Sequence, residues 1–354
     1  MAMAEESTAK RKDAHLDLCA TEAVEPPQNR TLFHCVHLVH NAMPEMALAD
    51  VRLGTTLFGK PLKAPLFITG MTGGTDRAGA VNRDLAQLAE RHGLGFGVGS
   101  QRAMSDGGAR AHSYQVRDVA PHLLLVGNIG LRQAATLGTS GVLRLRDLIG
   151  ADAMALHLNV GQELTQPEGD RDFRGGYKVV QALARALEGT LLVKETGCGI
   201  SPAVARRLVE SGVSVLDLSG LGGTSWVKVE QLRAEGVQHV VGETFDGWGI
   251  PTAAAVATVR HAVGPAVTLI ASGGMRNGLE IAKALALGAD LGGMALPLFR
   301  AQQQGGLAGA ERALDVVMAG LKQAMVLTGS RTVVELRTAP RVITGELKDW
   351  VSAL

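Results

Sequence analysis

The sequence predicts an α/β protein of the (β/α)8 barrel class, a single domain with an N-terminal extension, and three observations carry that reading. Short β-branched and apolar runs alternate with helical periodicities from Pro65 to about residue 330. The 45 glycines in 354 residues are roughly double the usual share of about 7%, and many follow an apolar run, where a strand would hand over to a helix. The polar groups able to do chemistry also arrive at the C-terminal ends of those runs, the end at which barrel enzymes place their sites.

Residues 1–10 are small and polar and are expected to lack order. RKDAHLDL at 11–18 sets Arg11, Lys12 and His15 within one helical turn, either as a solvated charge run or as a cationic lid over an anion. Residues 32–39 are strand-like, and 41–60 read as a loop-rich lead-in. The barrel then runs as strand 65–71, helix 77–92, strand 94–102, helix 113–119, strand 122–130 and a short helix at 143–149. It continues as strand 153–159, polar loop 160–175, helix 176–187, strand 191–197, helix 202–210 and strand 213–220. A long excursion, 221–250, precedes a helix at 251–262, where Pro251 suits the first turn. The stretch 267–299 reads as strand, glycine turn, helix and strand, with Gly288 stopping the helix, and a last helix covers 308–328. The expected division is residues 1–60 as an extension that covers the substrate, 61–330 as the barrel and 331–354 as a tail packing on it. A doubly wound sheet would need a second domain that the pattern lacks.

Composition narrows the function. A net charge of +1 and 3% aromatic residues argue against nucleic acid or an acidic membrane as partner. The odd set Cys19, Cys35 and Cys198 suits a reducing cytoplasm better than a disulfide framework or a zinc site. Neither a signal peptide nor a membrane span is legible.

The strand ends hold Thr69, Met71, Thr72 and Gly73, then Ser100 and Arg102, then Asn128. His157 and Asn159 follow on one face of the fourth strand, with Gln162 and Glu163 just beyond, then Lys194, then Ser219 and Thr224. Taken singly, His157 reads as a core histidine, Glu163 as a solvated acid, and Ser219 and Thr224 as turn or cap residues. Arrival at one end of successive strands favours a shared site. Lys194 inside a barrel demands an anionic or strongly accepting partner, such as a phosphate or a flavin edge. Gly273 and Gly274 before a helix suit close approach of backbone N–H groups to a phosphate. The residues alone therefore describe a barrel enzyme acting on a phosphorylated ligand.

Nine segments together resemble the flavin-dependent, type 2 isopentenyl-diphosphate Δ-isomerases: RKDAHLDL (11–18), MTGGT (71–75), GVGSQR (97–102), GNIG (127–130), HLNVGQE (157–163), VKETGCGIS (193–201), DLSGLGGTSW (217–226), WGIPT (248–252) and ASGGMRNGLEIAKALALGAD (271–290). The resemblance implies a barrel binding FMN, active in its reduced form with NADPH as reductant. It implies Mg²⁺-dependent conversion of isopentenyl diphosphate to dimethylallyl diphosphate in the cytoplasm, by a homo-tetramer or homo-octamer. By that resemblance Arg11, Lys12, Ser100, Arg102, His157, Asn159 and Gln162 would contact substrate, with Gln162 beside the reacting carbons. Glu163 would hold Mg²⁺. FMN would be lined by Thr69, Met71, Thr72, Gly73, Ser100, Asn128, Lys194, Ser219 and Thr224, with Gly273, Gly274, Met275, Ala295 and Leu296 at its phosphate. The competing enzymes are another FMN barrel, such as a 2-hydroxy-acid oxidase, and a dehydrogenase using Cys198 as nucleophile. The competing non-enzyme is a binding barrel.

Overall fold

The computed structural model describes residues 2–26, 30–104 and 110–353, with side chains from residue 10 onward. Eight parallel strands hydrogen-bond in sequence order: Leu66–Ile68, Gly95–Gly97, Leu124–Gly130, Ala153–His157, Leu191–Lys194, Val215–Asp217, Thr268–Ala271 and Leu291–Met294. The last pairs with the first, Gly292 opposite Leu66 and Met294 opposite Ile68, so the sheet closes and leaves no edge. Helices cover the outside, which is why the strands read as nearly continuous apolar runs.

The period of two along each strand positions the site. Phe67, Val126, Ala155, Leu192, Val215, Ile270 and Leu291 point inward and pack into one apolar plug. The plug is completed from below by Leu57 and Leu62 of an antiparallel hairpin, Thr55–Leu57 with Lys60–Leu62. One inward step further toward the C-terminal end lie Thr69, Asn128, His157, Lys194, Asp217, Ser272 and Gly293. Six of the eight strands thus pass from dry packing to a polar side chain within two residues.

Several expected elements differ. The hairpin lies in what reads as a lead-in loop, because its strands are only three residues long and their apolar members face the barrel floor. The polar loop after the fourth strand contains a helix, Val160–Thr165, and the excursion contains two, Trp226–Arg233 and Gly236–Thr244. These helices are short and wrap polar groups toward the mouth, so they show little apolar period. The helix expected at 113–119 shrinks to a single 3-10 turn at Ala111–Ser113, while the short helix expected at 143–149 is the end of Leu131–Leu148, kinked at Gly138. The final strand stops at Met294, and the last helix starts early, at Leu296, kinking at Gly305 and Gly306 on its way to Thr328.

Outside the barrel, Val36–Leu38 pairs antiparallel with Arg341–Ile343, tying both ends of the chain together. The first helix, Ala2–Thr21, begins within the stretch expected to lack order and lies across the mouth. It buries Leu16 and Cys19. Thr75 Oγ1 donates to Asp13 at 2.8 Å, Arg77 pairs with Asp17, and Arg300 Nε donates to the Cys19 carbonyl at 2.9 Å.

Candidate active site at the barrel mouth

Two adjoining cavities occupy the mouth and share Cys19, Gly70, Met71, Lys194, Thr196 and Trp226. The first is lined by Arg11, Lys12, Thr72, Ser100, Arg102, Asn128, His157, Asn159, Gln162 and Glu163. The second is lined by Thr69, Ser219, Thr224, Gly273, Gly274, Met275, Ala295 and Leu296. Gly73 lines neither, since a Cβ there would meet the Tyr114 ring at 2.0 Å; it lets the loop pass under that ring.

The first cavity concentrates positive charge. Lys12 is buried, donates to the Ser100 carbonyl at 3.3 Å, and has its pKa pushed down to about 7 by burial and by the nearby Arg11 and Arg102. Arg11 is lowered chiefly by burial, with Arg102 adding repulsion. Held so close, these cations point to an anionic ligand. His157 lies on the opposite wall with Nδ1 2.9 Å from Asn128 Oδ1, and burial followed by the charge of Lys194 lowers it to about 3. Among these protein groups the ring is therefore neutral.

Gln162 and Glu163 ride on the helix Val160–Thr165. Glu163 is 4% exposed, its Oε1 accepting from Asn159 Nδ2 at 2.9 Å and its Oε2 from the Asp170 N–H at 2.8 Å. No cluster of three or more His, Cys, Asp or Glu able to hold a metal exists among the described residues. One carboxylate aimed at a cationic, phosphate-sized cavity nonetheless fits Mg²⁺, which takes one or two carboxylates and completes its shell with phosphate oxygens and water.

Gln162 Nε2 donates at 2.9 Å to Glu230, a residue that none of the motifs contains. Glu230 is fully buried, with His15 Nε2 3.1 Å from Oε1 and Arg233 on Oε2. The Gln166 amide, oriented by its neighbours, donates to Glu230 and accepts from Arg11. Burial pushes the Glu230 carboxyl up, but the bonds from His15 and Gln162 and the Arg233 charge outweigh it, so the group is held ionised below its usual range. Glu230 and Trp226 are four residues apart on Trp226–Arg233 and share a face. Helical spacing exposes Glu230 only once the excursion is known to be helical.

The second cavity has the shape of a phosphate cradle. A Cβ on Gly223 would sit 2.3 Å from the Gly274 nitrogen, and one on Gly273 2.1 Å from the Gly220 carbonyl oxygen. Gly273 and Gly274 have φ of +98° and +83°, left-handed backbone that favours glycine. Across the cavity, Ala295 precedes the long helix as its N-cap without a side-chain cap, leaving the first-turn amides on either side of Pro297, which has none, for an anion. These features fit the phosphate of a flavin mononucleotide. Lys194 is 7% exposed and its Nζ donates to the Glu195 carbonyl; Asp217 stands opposite it on the neighbouring strand, is wholly buried, and accepts from Ser272 Oγ. Burial pushes the Asp217 carboxyl up, with the Lys194 charge opposing that rise, so the barrel offers the lysine a carbonyl and a nearby carboxyl and leaves room for a ligand's anionic or accepting group.

A closed barrel with a glycine cradle at the ends of its last two strands defines the class: flavin-binding (β/α)8 enzymes. The model of the FMN-dependent dehydrogenase family matches residues 132–343. A solved mandelate oxidase with (S)-mandelic acid superposes with a TM-score of 0.66 at 16% identity, over 96% of this chain and 98% of that one, which shows the fold. Among curated proteins, the isopentenyl-diphosphate delta-isomerase of Methanopyrus kandleri is 40% identical over 97% of this chain and 94% of its own length. That of Pyrococcus horikoshii is 41% identical over 99% and 96%. The chain belongs to the isopentenyl-diphosphate delta-isomerase family and is an FMN-dependent isomerase of that kind.

Proposed function

We propose that this enzyme converts isopentenyl diphosphate to dimethylallyl diphosphate with Mg²⁺ and reduced FMN, NADPH serving as reductant. One observation supports the reading most: a cationic cavity and a glycine phosphate cradle meet at Gly70, Met71, Lys194 and Thr196. An isoprenyl chain between them would lie against the flavin position. Arg11, Lys12 and Arg102 take the diphosphate, guanidinium offering a planar fork for it, with Ser100, His157 and Asn159 completing its polar shell. Glu163 takes Mg²⁺ jointly with the phosphate oxygens. In the second cavity Thr69, Met71, Lys194, Ser219 and Thr224 border the flavin, Thr72 and Asn128 reach it from the first cavity, and Gly273, Gly274, Met275, Ala295 and Leu296 border its phosphate.

Moving the double bond requires a proton to be added at one carbon and removed at another, through a tertiary cation. Bound FMN, when reduced, supplies electron density beside that cation and a route for the proton. The protein's part is placement. Gln162 is neutral and is not the acid; with its Nε2 tied to Glu230 and its Oε1 accepting from Asn159 Nδ2 at 3.4 Å, the amide is fixed as a positioning group beside the reacting carbons. Trp226 and Met71 supply apolar wall, and the first helix excludes water. A positioned group is worth about 10²–10⁴ in rate, and preorganised electrostatics supplies the larger share. Assembly as a tetramer or octamer in the cytoplasm goes with this reading. The exposed apolar row Val237, Val240, Val241, Phe245 and Trp248 supports assembly. Anaerobic incubation with FMN, NADPH, Mg²⁺ and isopentenyl diphosphate is expected to yield the allylic isomer. Turnover that survives removal of Mg²⁺, with oxidation of a 2-hydroxy acid instead, would reject the reading.

A further inference from the structure

His157 lines the cationic cavity where a ligand phosphate would meet it, yet the hydrogen bond it makes with the protein is wrong for an anion. The backbone carbonyl of Val98 only accepts, so Asn128 must turn Nδ2 toward it, and that bond is 3.1 Å. Asn128 Oδ1 then faces His157 Nδ1 at 2.9 Å and also only accepts. Nδ1 therefore carries the ring proton. A neutral ring so fixed leaves Nε2 as a bare lone pair. Gly130 leaves that nitrogen uncovered, since a Cβ there would stand 3.0 Å from Nε2. A phosphoryl oxygen arriving at Nε2 would meet lone pair with lone pair.

We propose that binding of a diphosphate in the mouth cavity places a proton on His157 Nε2, and that Asn128 enforces this as a positioning residue by holding Nδ1–H on the other side. The proposal rests on the diphosphate reading of the cavity. With Nδ1 locked as a donor, the ring cannot switch tautomer to serve the ligand; it can donate from Nε2 only as imidazolium. The proton comes from solvent, forms the Nε2–H bond and breaks no other. The groups facing His157 explain why uptake waits for ligand. Lys194 on the fifth strand, Lys12 on the first helix and Arg102 after the second strand all disfavour a further cation, on top of burial. A bound diphosphate neutralises those three charges and adds an acceptor, reversing the balance at the same ring. Lys194 and Asp217 already compensate each other in part. His157 is thus a proton-coupled grip rather than a fixed donor, and ligand affinity should strengthen as pH falls.

The test is calorimetric titration of the FMN-loaded, oxidised protein with isopentenyl diphosphate, at fixed excess Mg²⁺, in buffers of differing ionisation heat. The pH is 6, where Lys12, with its pKa near 7, is mostly charged before ligand arrives. The wild type is expected to take up about one proton per site more than His157→Gln, whose amide can donate to phosphate without titrating. In Asn128→Asp the carboxylate facing Nδ1–H would charge the ring in advance, and uptake should fall toward that of His157→Gln. Equal proton counts in wild type and His157→Gln, with binding intact, overturn the proposal while leaving the diphosphate reading standing. Uptake unchanged in Asn128→Asp overturns the role of Asn128. An absence of binding by the folded wild type removes the diphosphate reading and the proposal together.

Discussion

Replacing Lys12 by Met should make the ligand-free protein more stable and its ligand binding weaker. Lys12 is 8% exposed and its pKa falls from 10.5 to about 7, through burial first and then Arg11 and Arg102. That fall is a ceiling of about 5 kcal/mol for holding the charge in the folded protein. The first helix can shift and admit water, so the realised gain on removing the charge is expected to be about 1–3 kcal/mol. Met keeps the length and apolar stem of the side chain and gives up the 3.3 Å bond to the Ser100 carbonyl, which returns about 1 kcal/mol of the gain. The sign with pH follows from linkage. Because the folded pKa lies below the unfolded one, the unfolded chain binds more protons between about 7 and 10.5, and the wild type loses stability as pH drops through that window. The gap between variant and wild type should therefore be largest at pH 7 and below and close toward pH 10.5. Urea unfolding of the FMN-loaded protein at several pH values measures it. Turnover measured alongside should show KM for isopentenyl diphosphate raised roughly 10- to 100-fold, with flavin affinity unchanged. A variant no more stable than wild type at pH 7, or a gap independent of pH, would refute the account of Lys12 as a strained cation awaiting an anion.

Three further outcomes are expected. Glu230→Gln leaves Arg233 only the more distant Glu168 at 3.7 Å and lets the Gln162 amide rotate, so kcat should fall by about 10²-fold with KM nearly unchanged; a loss confined to KM would mean that Glu230 serves the diphosphate instead. Glu163→Gln should abolish most of the Mg²⁺ dependence and turnover while FMN stays bound, and loss of the yellow colour on gel filtration would argue against its assignment. Gly223→Ala forces a methyl against the Gly274 nitrogen at 2.3 Å, so FMN affinity should drop by at least about tenfold, roughly 1.4 kcal/mol, while circular dichroism shows the barrel intact; normal FMN binding would displace the cradle from that turn.

The barrel was legible because its strands are buried on both faces and bounded by glycine, which writes each strand into the sequence as a short apolar run. The polar ends were legible for the same reason: a residue two places beyond an inward apolar one faces the mouth, as with Ala155 and His157 or Leu192 and Lys194. The hairpin Thr55–Leu57 with Lys60–Leu62 was not, since three-residue strands carry too little period. Nor was Glu230, which looks like a surface charge on a short helix and is fully buried beneath His15 of the first helix and Gln162 of the helix Val160–Thr165.

By itself, then, the sequence determined which residues sit at the ends of the strands and which glycines let a phosphate approach, because local periodicity and backbone freedom act over a few residues. Only the tertiary structure decided which charges meet. Lys194 stands opposite Asp217 across a strand pair, Gln162 finds Glu230 across 68 positions of chain, and Asn128 fixes the proton on His157. Those are encounters between distant segments, set by barrel closure and by how the first helix packs, and no local pattern encodes them.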